Sequence, residues 1–166
     1  MSGSNGWAGP SAQRRLEILR RTRTVAMLGA SANPARASNF VATYLLASTN
    51  YDVYFVNPNA KQILGRPAYG SLAELPVVPD LVDVFRKPAD LPQVLTEVLA
   101  SGAATLWLQF GLYDVAVARQ AEEAGLTVVM DRCLKIEHAR FAGGLHWAGF
   151  DTGVISSRRH RGLPTA

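Results

Sequence analysis

A chain of 166 residues has the length of one domain, and that is enough to bury a core. Its 48% hydrophobic and 18% charged residues exclude a disordered polymer, and no apolar run approaches the roughly 20 residues that a membrane-crossing helix needs. Cys133 is the single cysteine, which excludes an internal disulfide and a cysteine-rich metal site; with no apolar leader in Met1 to Pro10, the expected compartment is the cytoplasm.

The net charge of +4 is unevenly spread: residues 1–23 carry +4, residues 142–166 carry +2, and residues 24–141 carry −2. Basic ends around a slightly acidic body read as solvated tails, and they argue against a nucleic-acid partner. The run Arg158-Arg159-His160-Arg161 is the one stretch that favours such a partner. The expected organisation is a flexible segment 1–10, a folded domain 11–141, and a tail 142–166 with a basic end. Trp147 and Phe150 would anchor that tail to the body or to a second subunit.

In chain order, residues 11–22 predict a helix carrying Leu16, Ile18 and Leu19. Thr24 to Leu28 is a continuous apolar run ending at Gly29, the pattern of a strand buried on both faces. Ser38 to Ser48 has helical spacing, and Asp52 to Val56 predicts a second strand stopped by Asn57-Pro58-Asn59. A third strand is expected at Leu81 to Phe85, a helix at Leu91 to Leu99, and a fourth strand at Thr105 to Leu108. A helix at Val115 to Ala124, a fifth strand at Leu126 to Met130 and a last short helix at Leu134 to Phe141 complete the series.

Strands alternating with helices imply βαβ units and a parallel sheet, hence a single Rossmann-like, doubly wound α/β domain with helices on both faces. Five strands are expected, in the order 3-2-1-4-5. In such sheets ligands bind beyond the carboxyl ends of the strands, where the strand order reverses. The loops Gly29-Ala30-Ser31 and Gln109-Phe110-Gly111 would flank that crevice, with walls from Asn57-Pro58-Asn59-Ala60-Lys61 and Phe85-Arg86-Lys87-Pro88.

Gly29 permits a tight turn close to an anion, and Ser31 adds a hydroxyl near a helix N-terminus, where the dipole favours phosphate. Arg36 would either reach a pyrophosphate there or point to solvent. The dinucleotide fingerprint G-x-G-x-x-G is absent, since Ser31 and Pro34 stand at its later glycines, and the second strand ends in Asn57-Pro58 rather than an acid. No P-loop occurs either. Lys61, Arg66, Arg86 and Lys87 suit a ligand with an extra ribose phosphate, coenzyme A or NADP.

Several motifs then coincide: Val25-Ala26-Met27-Leu28-Gly29-Ala30-Ser31, Asn33-Pro34, Ser38, Val56-Asn57-Pro58, Asp83-Val84-Phe85-Arg86, Trp107-Leu108-Gln109-Phe110-Gly111, and Met130-Asp131-Arg132-Cys133-Leu134-Lys135-Ile136-Glu137-His138. Over about residues 15–141 this resembles the stand-alone CoA-binding proteins, which are similar to the N-terminal domain of the succinyl-CoA synthetase α-subunit. The resemblance implies that Gly29-Ala30-Ser31 receives the pyrophosphate. It implies that Asn57, Pro58 and Lys61 border the adenosine and its 3′-phosphate. Val84, Phe85 and Arg86 would line the adenine or pantetheine path, and Gln109 and Gly111 the pantetheine side. The implied role is a CoA or acyl-CoA carrier, sensor or regulatory module acting alone, as a homodimer or with a partner protein. An NADP-dependent oxidoreductase on the same fold is the alternative.

Independent ligase activity is not expected, because the chain has no room for a second domain with a phosphorylated histidine. The weak catalytic candidate is Cys133: beside Arg132 and Lys135 its thiol pKa would fall, allowing a mixed disulfide with CoA. The plainer expectation is a small buried hydrophobe. Asp131, Arg132 and Glu137 are expected to form ion pairs docking the last helix, with His138 as packing. Trp107 is expected in the core.

Overall fold

Thr24–Leu28 is apolar at every position but its first, and it forms β1, paired in parallel on both sides. The structure, a computed structural model, describes residues 6–143. Before β1 stands α1 (Ala12–Arg21), capped by the Ser11 hydroxyl, which accepts from the Arg14 amide at 3.1 Å. After it come α2 (Ala37–Ser48), β2 (Asp52–Val56), β3 (Gln62–Ile63) and β4 (Arg66–Tyr69). Then follow β5 (Leu81–Val84), α3 (Leu91–Ser101), β6 (Thr105–Leu108), α4 (Val115–Glu123), β7 (Thr127–Val129) and α5 (Leu134–Ala142). Gly102, at φ 78°, closes α3 in the left-handed conformation that glycine adopts at least cost.

The α/β doubly wound class stands, and two expectations need correction. The sheet has seven strands rather than five, in the order β3-β4-β2-β1-β5-β6-β7. β3 and β4 form an antiparallel hairpin at one edge, and β4 pairs in parallel with β2. Pro67 hid this hairpin, since proline reads as a strand breaker yet is tolerated at a sheet edge. Its turn, Leu64-Gly65, has positive φ at both residues (49° and 74°), a geometry in which leucine gives no sequence signal.

The second correction concerns order. The strand at 81–84 lies beside β1, inside the sheet, and not outside β2. All four of its residues are buried, as a central strand requires. The strand order therefore reverses between the parallel neighbours β1 and β5, and the loop after β5 flanks Gly29 directly.

Alternate residues of each strand feed two apolar layers. On one face Ala26, Leu28, Val82, Val84, Leu106 and Leu108 pack with α3 and α4. On the other, Val25, Met27, Phe55, Leu81 and Trp107 pack with residues of α1, α2 and α5. Trp107 is fully buried, as expected, and its indole N–H donates to the Arg132 carbonyl at 2.8 Å. Residues 6–10 also touch the body, since Trp7 Nε1 donates to Glu122 Oε1 at 3.2 Å and the Arg15 guanidinium holds the Pro10 carbonyl at 2.7 Å. The tail residues Trp147, Phe150 and Arg158-Arg159-His160-Arg161 lie outside the described residues.

α1 docks on α5 through a buried ion pair. Arg15 Nε donates to Glu137 Oε2 at 2.9 Å, with side chains only 8% and 5% exposed. Arg132 adds a second contact to Glu137 at 3.0 Å, as the sequence led us to expect. Removing one partner of a buried pair leaves an uncompensated charge, at a cost of about 3–5 kcal/mol. Glu137→Ala should therefore lower the melting temperature by roughly 10 °C. Glu17→Ala, in a pair exposed to 44% and 46%, should leave it nearly unchanged. Thermal unfolding followed by circular dichroism checks both.

Candidate functional site

The site is built where β1 and β5 part company. Gly29 follows β1 with φ +90°, and a Cβ placed there would stand 2.3 Å from the Phe85 carbonyl oxygen. Both the backbone angle and the close approach exclude any larger residue. The Gly29 amide donates to Val56 O at 3.0 Å, and the Phe85 amide to Leu28 O at 2.8 Å, so three strand ends converge on this turn.

From there the chain enters α2 through a network of side-chain bonds. The Ser31 amide donates to the Ser38 hydroxyl at 3.0 Å, and the Ser31 hydroxyl accepts from the Asn33 amide at 3.1 Å. Asn39 Nδ2 holds the Ser31 carbonyl at 3.1 Å. The amides of Gly29 and Ser31 are thus occupied in holding the loop. Arg36 at the N-cap of α2 gives no side-chain cap to the helix, so its first turn and dipole face the space beyond the strands.

That space is a cleft of about 740 Å³. One end is bordered by Asn57, Pro58 and Asn59, where Asn57 Nδ2 donates to the Ala30 carbonyl at 2.8 Å and ties the β2 loop to the β1 loop. The middle is bordered by Gly29, Ser31, Phe85 and Arg86. The far end is bordered by Gln109, Gly111 and Cys133. From the end of β2 to the end of β6 is three strand spacings, about 14 Å at about 4.8 Å each. The cleft is long as well as open.

Its charge is positive. Arg36, Arg86 and Lys87 line it against the single carboxylate of Asp90. Among the described residues none of these three cations forms an ion pair. The Arg86 Nε is buried and has no hydrogen-bond partner, while its Cδ lies 3.5 Å from where a Gly29 Cβ would be. A buried guanidinium donor without an acceptor is costly, and it sits beside the turn that the sequence assigns to phosphate.

The far end is held by α5. Gln109 is buried, and its side-chain oxygen accepts from the Leu134 amide at 3.1 Å, capping that helix. Gly111 (φ +90°) donates its amide to Asp131 Oδ1 at 2.7 Å. Cys133 is the N-cap of α5 and half-buried, and burial pushes its thiol pKa up. That direction is opposite to the activation expected from Arg132 and Lys135. His138 donates to or accepts from the Tyr44 hydroxyl at 2.9 Å, and burial holds its ring pKa down. It belongs to a separate cavity of about 510 Å³ with Tyr51 and Phe141.

The structure thus gathers Gly29, Ala30, Ser31, Arg36, Asn57, Pro58, Phe85, Arg86, Gln109, Gly111 and Cys133 around one cleft. Lys61 and Val84 are not among its lining. Lys61 is exposed before β3, and Val84 is wholly inside the core. Arg66 lies on β4 beside Tyr54 and Tyr69, at a different small cavity.

Asp83 stands in the motif Asp83-Val84-Phe85-Arg86, but the sequence gives it no role. Asp83 is completely buried in β5, in register with Met27 and Trp107, and neither carboxylate oxygen has a hydrogen-bond partner. Desolvation raises its pKa well above the ordinary 3.8, which favours the neutral acid in the folded chain. An acid in the middle of Leu81-Val82-Asp83-Val84 was the available signal.

Residues 23–139 match the family model described as a CoA binding domain. YneT of Bacillus subtilis (strain 168) is 37% identical over 130 residues, covering 78% of this chain and 96% of its own. A solved protein of Pyrococcus horikoshii OT3 is similar at a TM-score of 0.75 and 38% identity, with 80% of this chain and 92% of that one covered. Another, from Thermus thermophilus, has a TM-score of 0.74 and 38% identity, with 79% and 98% covered.

Asp83 makes stability fall with pH. A carboxyl whose folded pKa stands above its unfolded one keeps a proton that the unfolded chain loses. Its contribution is greatest below the ordinary 3.8 and declines as pH rises toward the folded value, by up to about 1.4 kcal/mol per pH unit for one proton. Asp83→Asn should flatten this slope and be the more stable protein at pH 8. Urea titrations from pH 5 to pH 8 measure it, and parallel slopes for the two proteins would count against a neutral buried Asp83.

Proposed function

The chain belongs to the family of CoA-binding domains, and from that premise we propose that its cleft holds coenzyme A or an acyl-CoA without transforming it. The role is that of a carrier, sensor or regulatory module. The observation that carries this reading is Arg86: a buried, unpartnered guanidinium Nε laid across Gly29, beside the open first turn of α2. An anion is the ligand that both features lack.

The residues present fit a nucleotide with a long arm. Arg36, Arg86, the Ser31 hydroxyl and the first turn of α2 would hold the pyrophosphate. Asn57 and Pro58 would border the adenosine. Lys61, outside the lining, would act on a 3′-phosphate only through its longer-range charge. Gln109, Gly111 and Cys133 would border the pantetheine arm, and the cleft's length supports a ligand longer than a mononucleotide. Coenzyme A would supply the acyl-carrying thiol, while this chain's residues bind and orient. The family match gives no support to NADP-dependent oxidoreduction.

Isothermal titration with CoA, acetyl-CoA, NADP, NAD and ATP tests the reading. CoA and acetyl-CoA should bind more tightly than the other three. Arg86→Ala should weaken CoA at least tenfold, about 1.4 kcal/mol or more. Binding that favours NADP, with no response to CoA, would overturn the assignment.

A further inference from the structure

The turn after β6 holds an aromatic ring out in water at the edge of the cleft. The Leu112 amide donates to the Gln109 carbonyl at 2.9 Å, which closes a turn over 109–112. Gly111 stands third in it with φ +90°, the place where a type II turn asks for glycine. The turn is fastened on both sides of Phe110. The Gln109 side chain accepts from the Leu134 amide at 3.1 Å, and the Gly111 amide donates to Asp131 Oδ1 at 2.7 Å. Gln109 and Leu112 are buried, whereas Phe110 is 79% exposed, more than any other large apolar side chain among the described residues.

A lone exposed apolar side chain is ordinary on a protein surface. Phe40 and Val78 are of that kind, since neither borders the cleft. Phe110 does border it, together with Leu112 and Cys133. Resting on the reading of the cleft as a CoA site, we propose that Phe110 reads the acyl group: its ring closes over the hydrocarbon of an acyl-CoA, so that the preferred ligand carries a short, uncharged acyl chain. From the end of β1, beside the phosphate turn, to the end of β6 is two strand spacings, about 10 Å. A pantetheine arm spans that distance, which brings the thioester to the turn and the acyl chain against the ring. Contact then removes apolar surface from water on both partners, and the gain grows with each methylene.

Charge at this end opposes a carboxylated acyl group. Asp131 stands at the foot of the turn, bonded to Gly111. Of the nearby cations, Arg132 pairs with Glu137 at 3.0 Å, and the Lys135 ammonium lies 5.8 Å over the Tyr44 ring. Arg36, Arg86 and Lys87 belong to the segments that follow β1 and β5. A terminal carboxylate at the turn would stand beside the Asp131 carboxylate, a like charge.

Isothermal titration of the full chain with CoA, acetyl-CoA, butyryl-CoA and succinyl-CoA tests the proposal. Butyryl-CoA should bind at least fivefold more tightly than acetyl-CoA, at about threefold for each added methylene. Succinyl-CoA should bind no more tightly than acetyl-CoA. Phe110→Ala should shrink the butyryl-to-acetyl ratio below twofold, and Phe110→Leu should keep most of it. Because the ring is exposed, neither variant should shift thermal unfolding, so a lost ratio reports the contact and not the fold. Three results overturn the acyl reading alone: equal affinities for acetyl-CoA and butyryl-CoA, a ratio unchanged in Phe110→Ala, or succinyl-CoA binding as tightly as butyryl-CoA. If the wild-type protein binds neither CoA nor any acyl-CoA, the parent reading falls.

Discussion

Everything at the cleft depends on how closely two backbones meet at Gly29. With a Cβ there 2.3 Å from the Phe85 carbonyl oxygen, β1 and β5 could not end side by side. Their ends would splay, Arg86 would lose its place across the turn, and α2 would start from another position. The sheet order makes this junction the place where the strand order reverses, with α2 on one face and α3 on the other. The gap between diverging loops is thus a consequence of topology. Gly29 sets how tightly that gap is floored.

Electrostatics then decide what the gap suits. The body of the chain is slightly acidic, yet the cleft is lined by Arg36, Arg86 and Lys87 against one carboxylate. Elsewhere, Arg14, Arg15, Arg132 and Arg140 pair with Glu17 or Glu137. The strong ion pair at Glu137 serves architecture, holding α1 against α5. The three cations lining the cleft form no ion pair among the described residues. Asp83 is the opposite case, an acid without hydrogen-bond partners in a central strand, where burial raises its pKa well above the ordinary range.

Much of this was legible in the sequence. Apolar runs ending in glycine or proline marked β1, β2, β5 and β6, and helical spacing marked α2 and α4, so the class and the strand-end loops followed. The neighbours of each strand did not follow, because β5 bears the same apolar run whether central or at an edge. The β3–β4 hairpin was hidden by Pro67 and by a leucine at positive φ. Lys61 read as a site residue by its place after β2, but the hairpin carries it beyond the lining. Cys133 read either as a thiol activated by its charged neighbours or, more plainly, as a small buried hydrophobe. Its half-burial, which pushes the thiol pKa up, goes against the first, and burial is a fact of three dimensions.

The central claim is that the turn at Gly29, the α2 N-terminus and Arg86 form one anion site for the phosphates of CoA. Backbone amide chemical shifts followed during CoA titration of the reduced protein test it most directly. The account predicts that the largest changes fall at Gly29, Ala30, Ser31, Ala37 and Ser38, with Arg86 and Gly111 following. Changes confined to the cavity around Tyr51 and His138, with the Gly29 turn unmoved, would contradict it.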